Sequence, residues 1–130
     1  MSKLPITGID IKVTDTDQVL NMGGPWIGDL LVNEKFVSDN CIVDNFVFDE
    51  KRQLLFFIKF HVITKFYFYF TINFYNIGYN TVFEFEREFS MVYLKQLINE
   101  NGLEIFNAFH GQNLQRRDLF CLDSENFYSI

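Results

Sequence analysis

The sequence predicts an all-β fold with room for one or two short helices, arranged as an antiparallel β-sandwich or an open half-barrel. From Phe66 to Tyr75, Phe and Ile alternate with Tyr, Thr and Asn, which is the period of two of a pleated strand. Short apolar segments separated by turn residues recur along the chain, and no long helical pattern is convincing. At 130 residues the chain is expected to form one β domain, residues 1–130.

In the first half of the chain, segments rich in β-branched and aromatic residues predict strands at Ile9–Val13, Trp26–Val32 and Cys41–Phe48. The segments between them carry turn chemistry. The predicted turns are the glycine- and proline-containing residues 21–25, a hairpin tip at residues 33–35 returning through Phe36 and Val37, and the charged residues 49–52.

In the second half, alternation predicts strands at residues 53–61, 66–75, 81–89 and 118–122. Glu84, Glu86 and Glu88 are expected on a solvated face, with Arg87 on the opposite face beside phenylalanines. Residues 91–100 fit either a helix begun by Ser90 or one arm of a hairpin turning at Asn101-Gly102, and the hairpin is favoured. Tail residues 127, 128 and 130 are expected to pack back onto the sheet.

The net charge of −6 comes from the first 50 residues, which hold nine carboxylates against three lysines. The other 80 residues carry eight charges of each sign. Phosphate binding needs basic patches, so nucleic acid is disfavoured as a partner and a basic protein is the natural complement. A solvated acidic surface that only aids solubility is the alternative.

Little in the sequence points to catalysis, a metal site or a cofactor, and we expect none. His61, His110, Cys41 and Cys121 lack metal-ligand spacing, and both cysteines are predicted to be thiols. The glycines at 23, 24 and 28 lack the lysine and helix of a phosphate loop. The N-terminus has no apolar signal segment, and charges interrupt the apolar stretch at 54–75, so a cytoplasmic protein that does not enter a membrane is predicted.

The candidate partner-binding residues are the carboxylates of the acidic segment together with the only tryptophan, whose residue type is enriched at interface hot spots. They are Asp15, Asp17, Trp26, Asp29, Glu34, Asp39, Asp49 and Glu50. Trp26 also fits a core role.

Three segments carry a family resemblance: Gly24 to Asn33, Asp44 to Asp49, and Leu54 to Ile58. A turn, a hairpin and a strand ending in an acidic turn make the chain resemble the β-rich immunity proteins of bacterial polymorphic toxin systems, including contact-dependent growth inhibition. The resemblance implies a protein that occludes the active site of one cognate toxin domain, often a basic nuclease. It transfers no residue role.

Two other function classes stay open. Aromatic strands could line the interior of a small apolar-ligand carrier of lipocalin or fatty-acid-binding type. A small hydrolase would have to pair Cys41 or Cys121 with a histidine.

Overall fold

A computed structural model describes residues 2–4, 9–18, 25–64, 67–108 and 115–130. The strands are β1 (Ser2–Leu4), β2 (Ile11–Gln18), β3 (Trp26–Val32), β4 (Lys35–Asp49), β5 (Leu54–Thr64), β6 (Tyr67–Asn76), β7 (Thr81–Phe89), β8 (Met91–Asn99), β9 (Gly102–Ala108), β10 (Gln115–Cys121) and β11 (Phe127–Ser129). They form two open antiparallel sheets, so the predicted all-β class is confirmed. The described ranges contain no helix, and hence none long and apolar enough to cross a membrane.

The chain divides into two compact units, residues 1–44 and 45–130, and β4 continues from the first into the second. In unit 1, strands β1 to β4 lie side by side in chain order. The predicted turn after β3 is confirmed, because Asn33 and Glu34 have φ angles of 50° and 69°, as a tight hairpin with right-handed twist requires. Val32 pairs with Lys35 across this turn.

Strand β2 extends to Gln18, five residues beyond the predicted Val13. The register with β3 shifts between Thr14 and Asp17, and Asp15 has φ 53°, so a bulge breaks the alternation that would have revealed the strand. The bulge lies tight against β3: a Cβ added at Gly28 would be 2.4 Å from the Thr14 carbonyl oxygen. Only glycine fits this close approach.

Strand β4 begins at Lys35, six residues before the predicted Cys41. Its pairing with β3 shifts on both sides of Leu30, and Asn40 has φ 53°. Because of these irregularities, the side chains along this continuous strand do not follow a simple period of two, and the sequence pattern again underestimates its length.

Unit 2 contains the neighbours β5, β6, β7 and β11, and a second sheet ordered β10, β9, β8. Residues 91–99 are strand β8, so the hairpin is confirmed and a helix there is wrong. Asn99 pairs with Gly102, so the turn residues are Glu100 and Asn101, one position earlier than predicted. The tail packs back onto the sheet as expected, and it does so as strand β11 along β7, with Tyr128 opposite Glu84.

Aromatic rings join the two sheets of unit 2. Phe85 on β7 meets Phe120 on β10 edge to face with ring centroids 4.9 Å apart, and Phe89 lies 6.2 Å from the same ring. Arg87 is on the phenylalanine side as predicted, with its guanidinium 4.8 Å from the Phe89 ring and within 4 Å of the Asp118 and Glu125 carboxylates.

The central strands bury side chains on both faces. On β6 the apolar Phe70 and Ile72 are buried, and so are Asn73 and Tyr75 from the Tyr-bearing face, whereas Tyr67 is exposed. Phe66 at the start of the predicted strand lies outside the described residues, as do Lys65, His110 and the glycines at 23 and 24.

The prediction of a solvated glutamate row on β7 is wrong for Glu84. Its side chain is buried, while Glu86 and Glu88 are exposed as expected. Burying a carboxylate is costly unless it is hydrogen-bonded, so Glu84 needs partners that its own strand does not supply.

Candidate functional site

One face of unit 1 gathers three of the predicted carboxylates. Asp17 pairs with Ile27, and Asp29 follows two positions later on β3, so both side chains project from the same face at a diagonal spacing of about 7 Å. Phe36 pairs with Leu31 on that face and is 63% exposed.

Glu34 completes this face at the far end of the hairpin. Its carboxylate lies 2.6 Å from the Lys12 ammonium, and Lys12 pairs with Leu31. The hydrogen bond and the charge of Glu34 raise the pKa of Lys12. We call Asp17, Asp29, Glu34 and Phe36 the acidic face.

The other predicted residues of unit 1 lie elsewhere. Trp26 pairs with Gln18 and alternates to the face opposite Asp29, where about half of its surface is exposed. Asp15 is exposed at the bulge of β2, and Asp39 is exposed on β4 at the register shift between Ser38 and Cys41. The structure therefore separates Trp26 from the carboxylates that the sequence grouped with it.

Asp49 and Glu50 belong to unit 2, at the turn after β4. Asp49 is buried, and its carboxylate accepts hydrogen bonds from the Arg52 backbone N–H at 3.2 Å and from Arg52 Nε at 2.5 Å. This carboxylate holds the turn together and offers little surface to a partner. Glu50 is exposed on the same turn.

No family model, curated protein or solved structure matches this chain.

A buried polar cluster in unit 2 centres on Glu84, which the sequence placed in solvent. Its Oε2 accepts from Thr71 Oγ1 and from His61 Nε2, both at 2.6 Å, and its Oε1 accepts from the Tyr128 hydroxyl at 2.5 Å. The His61 ring stacks on Tyr69 with centroids 4.7 Å apart. We call Glu84, Thr71, His61 and Tyr128 the Glu84 cluster.

The hydrogen bonds set the charge state of this cluster. Burial alone would raise the pKa of Glu84, but the bonds from His61, Thr71 and Tyr128 outweigh it and lower the pKa to about 2. The same carboxylate raises the pKa of Tyr128 to about 12, chiefly through their hydrogen bond. Glu84 is thus an anion and Tyr128 a neutral donor at neutral pH, an arrangement that stabilises the sheet rather than one poised for proton transfer.

The cysteines and His110 are the remaining residues that the sequence offered for chemistry. Cys41 is buried and Cys121 is half-buried, and both are thiols. His110 lies outside the described residues. Among the residues that the structure describes, no three His, Cys, Asp or Glu side chains converge as metal ligands would.

A third buried carboxylate lies in the three-stranded sheet. Glu104 on β9 accepts a hydrogen bond from Gln96 Nε2 at 2.8 Å and forms an ion pair with Arg117 on β10. It borders an open concavity of about 440 Å³ together with Ile98 and Leu119. Arg117, half of the only Arg-Arg pair in the sequence, is thus committed to a structural ion pair.

The Glu84 cluster could not be found from sequence pattern because its members come from β5, β6, β7 and β11. The sequence did carry one signal. In the strand predicted at residues 66–75, the polar Thr71 and Asn73 lie with the tyrosines on the face opposite the phenylalanines. Phe36 was missed for another reason: a single Phe beside a turn is more typical of a core residue.

Proposed function

We propose that this chain is a cytoplasmic binding protein that neutralises a basic toxin domain, of the nuclease type that the immunity-protein resemblance implies, through the acidic face of unit 1. The observation that supports this most strongly is that Asp17 and Asp29 share a strand face with the exposed Phe36. Glu34, on the adjoining turn, reaches the same face through its ion pair with Lys12. Protein–protein interfaces commonly combine an aromatic residue at the centre with a polar rim around it.

The charge of unit 1 favours the same partner. Residues 1–44 hold seven carboxylates against three lysines, a net charge of −4, whereas residues 45–130 hold ten carboxylates against eight cations, a net charge of −2. A cationic active-site cleft would be steered towards unit 1, and carboxylates close to its cations would add to affinity.

The first experiment measures association with the toxin domain encoded immediately upstream of the gene. We expect Asp17→Lys combined with Asp29→Lys to slow association about tenfold at low salt and to weaken its salt dependence. The matched control is Glu86→Lys combined with Glu100→Lys, which changes the net charge equally with exposed carboxylates of unit 2. Equal slowing of association by both pairs of substitutions would show that only net charge matters, and would refute the acidic face as the binding surface.

A second comparison identifies which face of β3 and β4 is used. Phe36→Ala is expected to speed dissociation about tenfold or more, as loss of an aromatic hot spot does. Trp26→Ala removes a half-exposed aromatic from the opposite face and is expected to change dissociation less than twofold. A larger effect of Trp26→Ala than of Phe36→Ala would indicate that the partner binds the Trp26 face instead. Failure to detect a complex with any encoded toxin domain would refute the proposed function itself.

A further inference from the structure

An open concavity of about 440 Å³ lies on the three-stranded sheet of unit 2. This volume is within the range of small-molecule sites in proteins. Glu104 pairs with Leu119 on one side and with Gln96 on the other, so these three side chains share one face of the sheet. Ile98 and Leu119 line the concavity and are each about half exposed. A hydrocarbon group bound beside them would remove apolar surface from water.

Glu104 is buried on this face, although Gln96 and Leu119 beside it are exposed. Its Oε1 accepts a hydrogen bond from Gln96 Nε2 at 2.8 Å, and its Oε2 forms an ion pair with Arg117 Nε. Arg117 pairs with Phe106, the next residue of β9 on the same face. A buried carboxylate that is bound at both oxygens holds the guanidinium in one direction, and a guanidinium fixed in advance loses less entropy when it binds a ligand.

The two terminal nitrogens of Arg117 are accessible. The ion pair with Glu104 is made through Nε, and no described residue accepts a hydrogen bond from Nη1 or Nη2. The Arg117 side chain is 72% exposed and lines the concavity, so an occupant reaches both nitrogens. Two parallel N–H donors match the two oxygens of a carboxylate. The fixed guanidinium therefore offers a bidentate site for a carboxylate.

The charges of this face favour a ligand with one negative charge. Lys95 Nζ lies 5.9 Å from the centroid of the aromatic ring opposite Arg117, so two cations share the face with the single carboxylate of Glu104. Asp118 also lines the concavity, but its carboxylate is 3.7 Å from the Arg87 guanidinium, which partly offsets its charge. A monoanion gains from the excess positive charge, whereas a cation would be repelled by it.

The backbone beside the concavity favours a small molecule over an extended peptide. A peptide added to β10 would need hydrogen bonds from the N–H groups that point away from β9. Leu122 N–H bonds the Asn101 carbonyl oxygen across the sheet, so by alternation the Leu119 N–H points away from β9. Asp118 Oδ1 already accepts from that N–H at 2.8 Å.

We propose that this concavity binds a small organic acid, whose one carboxylate is held by Arg117 Nη1 and Nη2 and whose short hydrocarbon group covers Ile98 and Leu119. The site is independent of the acidic face, and its failure would leave the proposed toxin-binding function unchanged.

The experiment titrates four probes into the full chain and follows the methyl signals of Ile98 and Leu119 by NMR. Hexanoate, hexanol and hexylammonium share a hydrocarbon chain and differ in the head group, and acetate has the carboxylate without the chain. We expect hexanoate to bind at least about fivefold more tightly than hexanol or hexylammonium, because a fixed bidentate pair is stronger than an ordinary exposed ion pair. Acetate should bind at least about fivefold more weakly than hexanoate, since it leaves the apolar wall uncovered.

Three variants and one control test the residues. Arg117→Gln should abolish the preference for hexanoate over hexanol, and Arg117→Lys, which keeps the charge beside Glu104 but lacks the paired donors, should reduce it to about twofold. Lys51→Gln removes a cation from an 83% exposed side chain outside the concavity and should leave the preference unchanged. Leu119→Ser should weaken hexanoate about threefold and leave acetate unchanged.

The Arg117 guanidinium ¹⁵N signals of the parent protein give a readout that does not depend on any variant folding. They should shift with hexanoate and acetate and not with hexanol. No methyl shift with any probe would overturn the proposal. Tightest binding of hexylammonium would show that Glu104 and Asp118 select the ligand, and equal binding of hexanoate and hexanol would show that the carboxylate is not recognised; either result would overturn the ligand class. A preference that persists in Arg117→Gln would overturn the role of Arg117.

Discussion

Replacing Glu84 by Gln tests whether the buried carboxylate stabilises the fold as an anion. The pKa of Glu84 is about 2 in the folded protein, against the ordinary 4.5. At about 1.4 kcal/mol for each pKa unit, this depression corresponds to about 3 to 4 kcal/mol of stability at neutral pH. Gln keeps the shape and removes the charge, so Glu84→Gln should lower the free energy of unfolding by about that amount.

The pH dependence has a defined sign. Because the folded-state pKa lies below the unfolded-state value, the contribution of Glu84 is fully present above pH 4.5 and is lost as the pH falls through about 2. The difference in unfolding free energy between the parent and Glu84→Gln should therefore be largest at neutral pH and shrink steadily below pH 4.5. Urea titrations followed by tryptophan fluorescence at several pH values measure it.

Glu86→Gln is the matched control, since Glu86 lies two residues away on the same strand and is exposed. An exposed substitution of this kind should change stability by less than about 0.5 kcal/mol at any pH. If Glu84→Gln costs no more than this control, or if its cost does not diminish in acid, the carboxylate is not stabilised by its three donors.

Tyr128→Phe separates the contribution of one donor. It removes the hydroxyl bound to Glu84 Oε1 at 2.5 Å and leaves His61 and Thr71 in place. The pKa of Glu84 should rise part of the way back, and stability at neutral pH should fall by about 1–2 kcal/mol. A ¹³C NMR titration of the Glu84 carboxyl checks the first effect, and an unchanged pKa would contradict it.

Two further substitutions test local contacts with the backbone: the close approach of β2 to Gly28, and the hydrogen bonds between Asn45 and Leu94. Gly28→Ala should destabilise the fold by about 2 kcal/mol or more in urea titrations, because the added Cβ would overlap the backbone of β2. Gly78→Ala is the control and should be nearly neutral, since the nearest atom to its Cβ, Asn76 Oδ1, is 3.5 Å away. Equal effects of the two substitutions would rule out the close approach of β2 to Gly28. Asn45 binds the backbone of Leu94 through two hydrogen bonds: its Oδ1 accepts from the Leu94 N–H at 2.7 Å, and its Nδ2 donates to the Leu94 carbonyl oxygen at 2.9 Å. Asn45→Asp loses the donor and should cost about 2 kcal/mol in the same titrations, and a cost below about 0.5 kcal/mol would contradict this geometry.

The strands were predictable where alternation is unbroken. The bounds of β3 and β7 match the sequence prediction residue for residue, and the hairpin of β8 and β9 follows from its apolar arms and turn. Strands β2 and β4 were predicted too short because Asp15 and Asn40 adopt left-handed φ angles within them. A single residue of this kind shifts every following side chain to the other face.

The candidate site was predictable in composition but not in arrangement. Charge alone selected Asp17, Asp29 and Glu34, yet which of them share a face depends on a register that includes bulges. The burial of Glu84 depends on donors 13, 23 and 44 positions away. No local pattern carries that information.

The short C-terminal strand has a consequence for association between copies of the chain. Strand β11 occupies one edge of β7, and flanking backbone bonds from Glu86 N to Asn126 O and from Ile130 N to Val82 O extend its cover. Without it, β7 would present unpaired peptide groups next to Phe83 and Phe85, a template for another extended chain. These three residues thus protect the edge of β7 from pairing with another chain, and a tag or truncation that displaces them is expected to promote edge-paired oligomers.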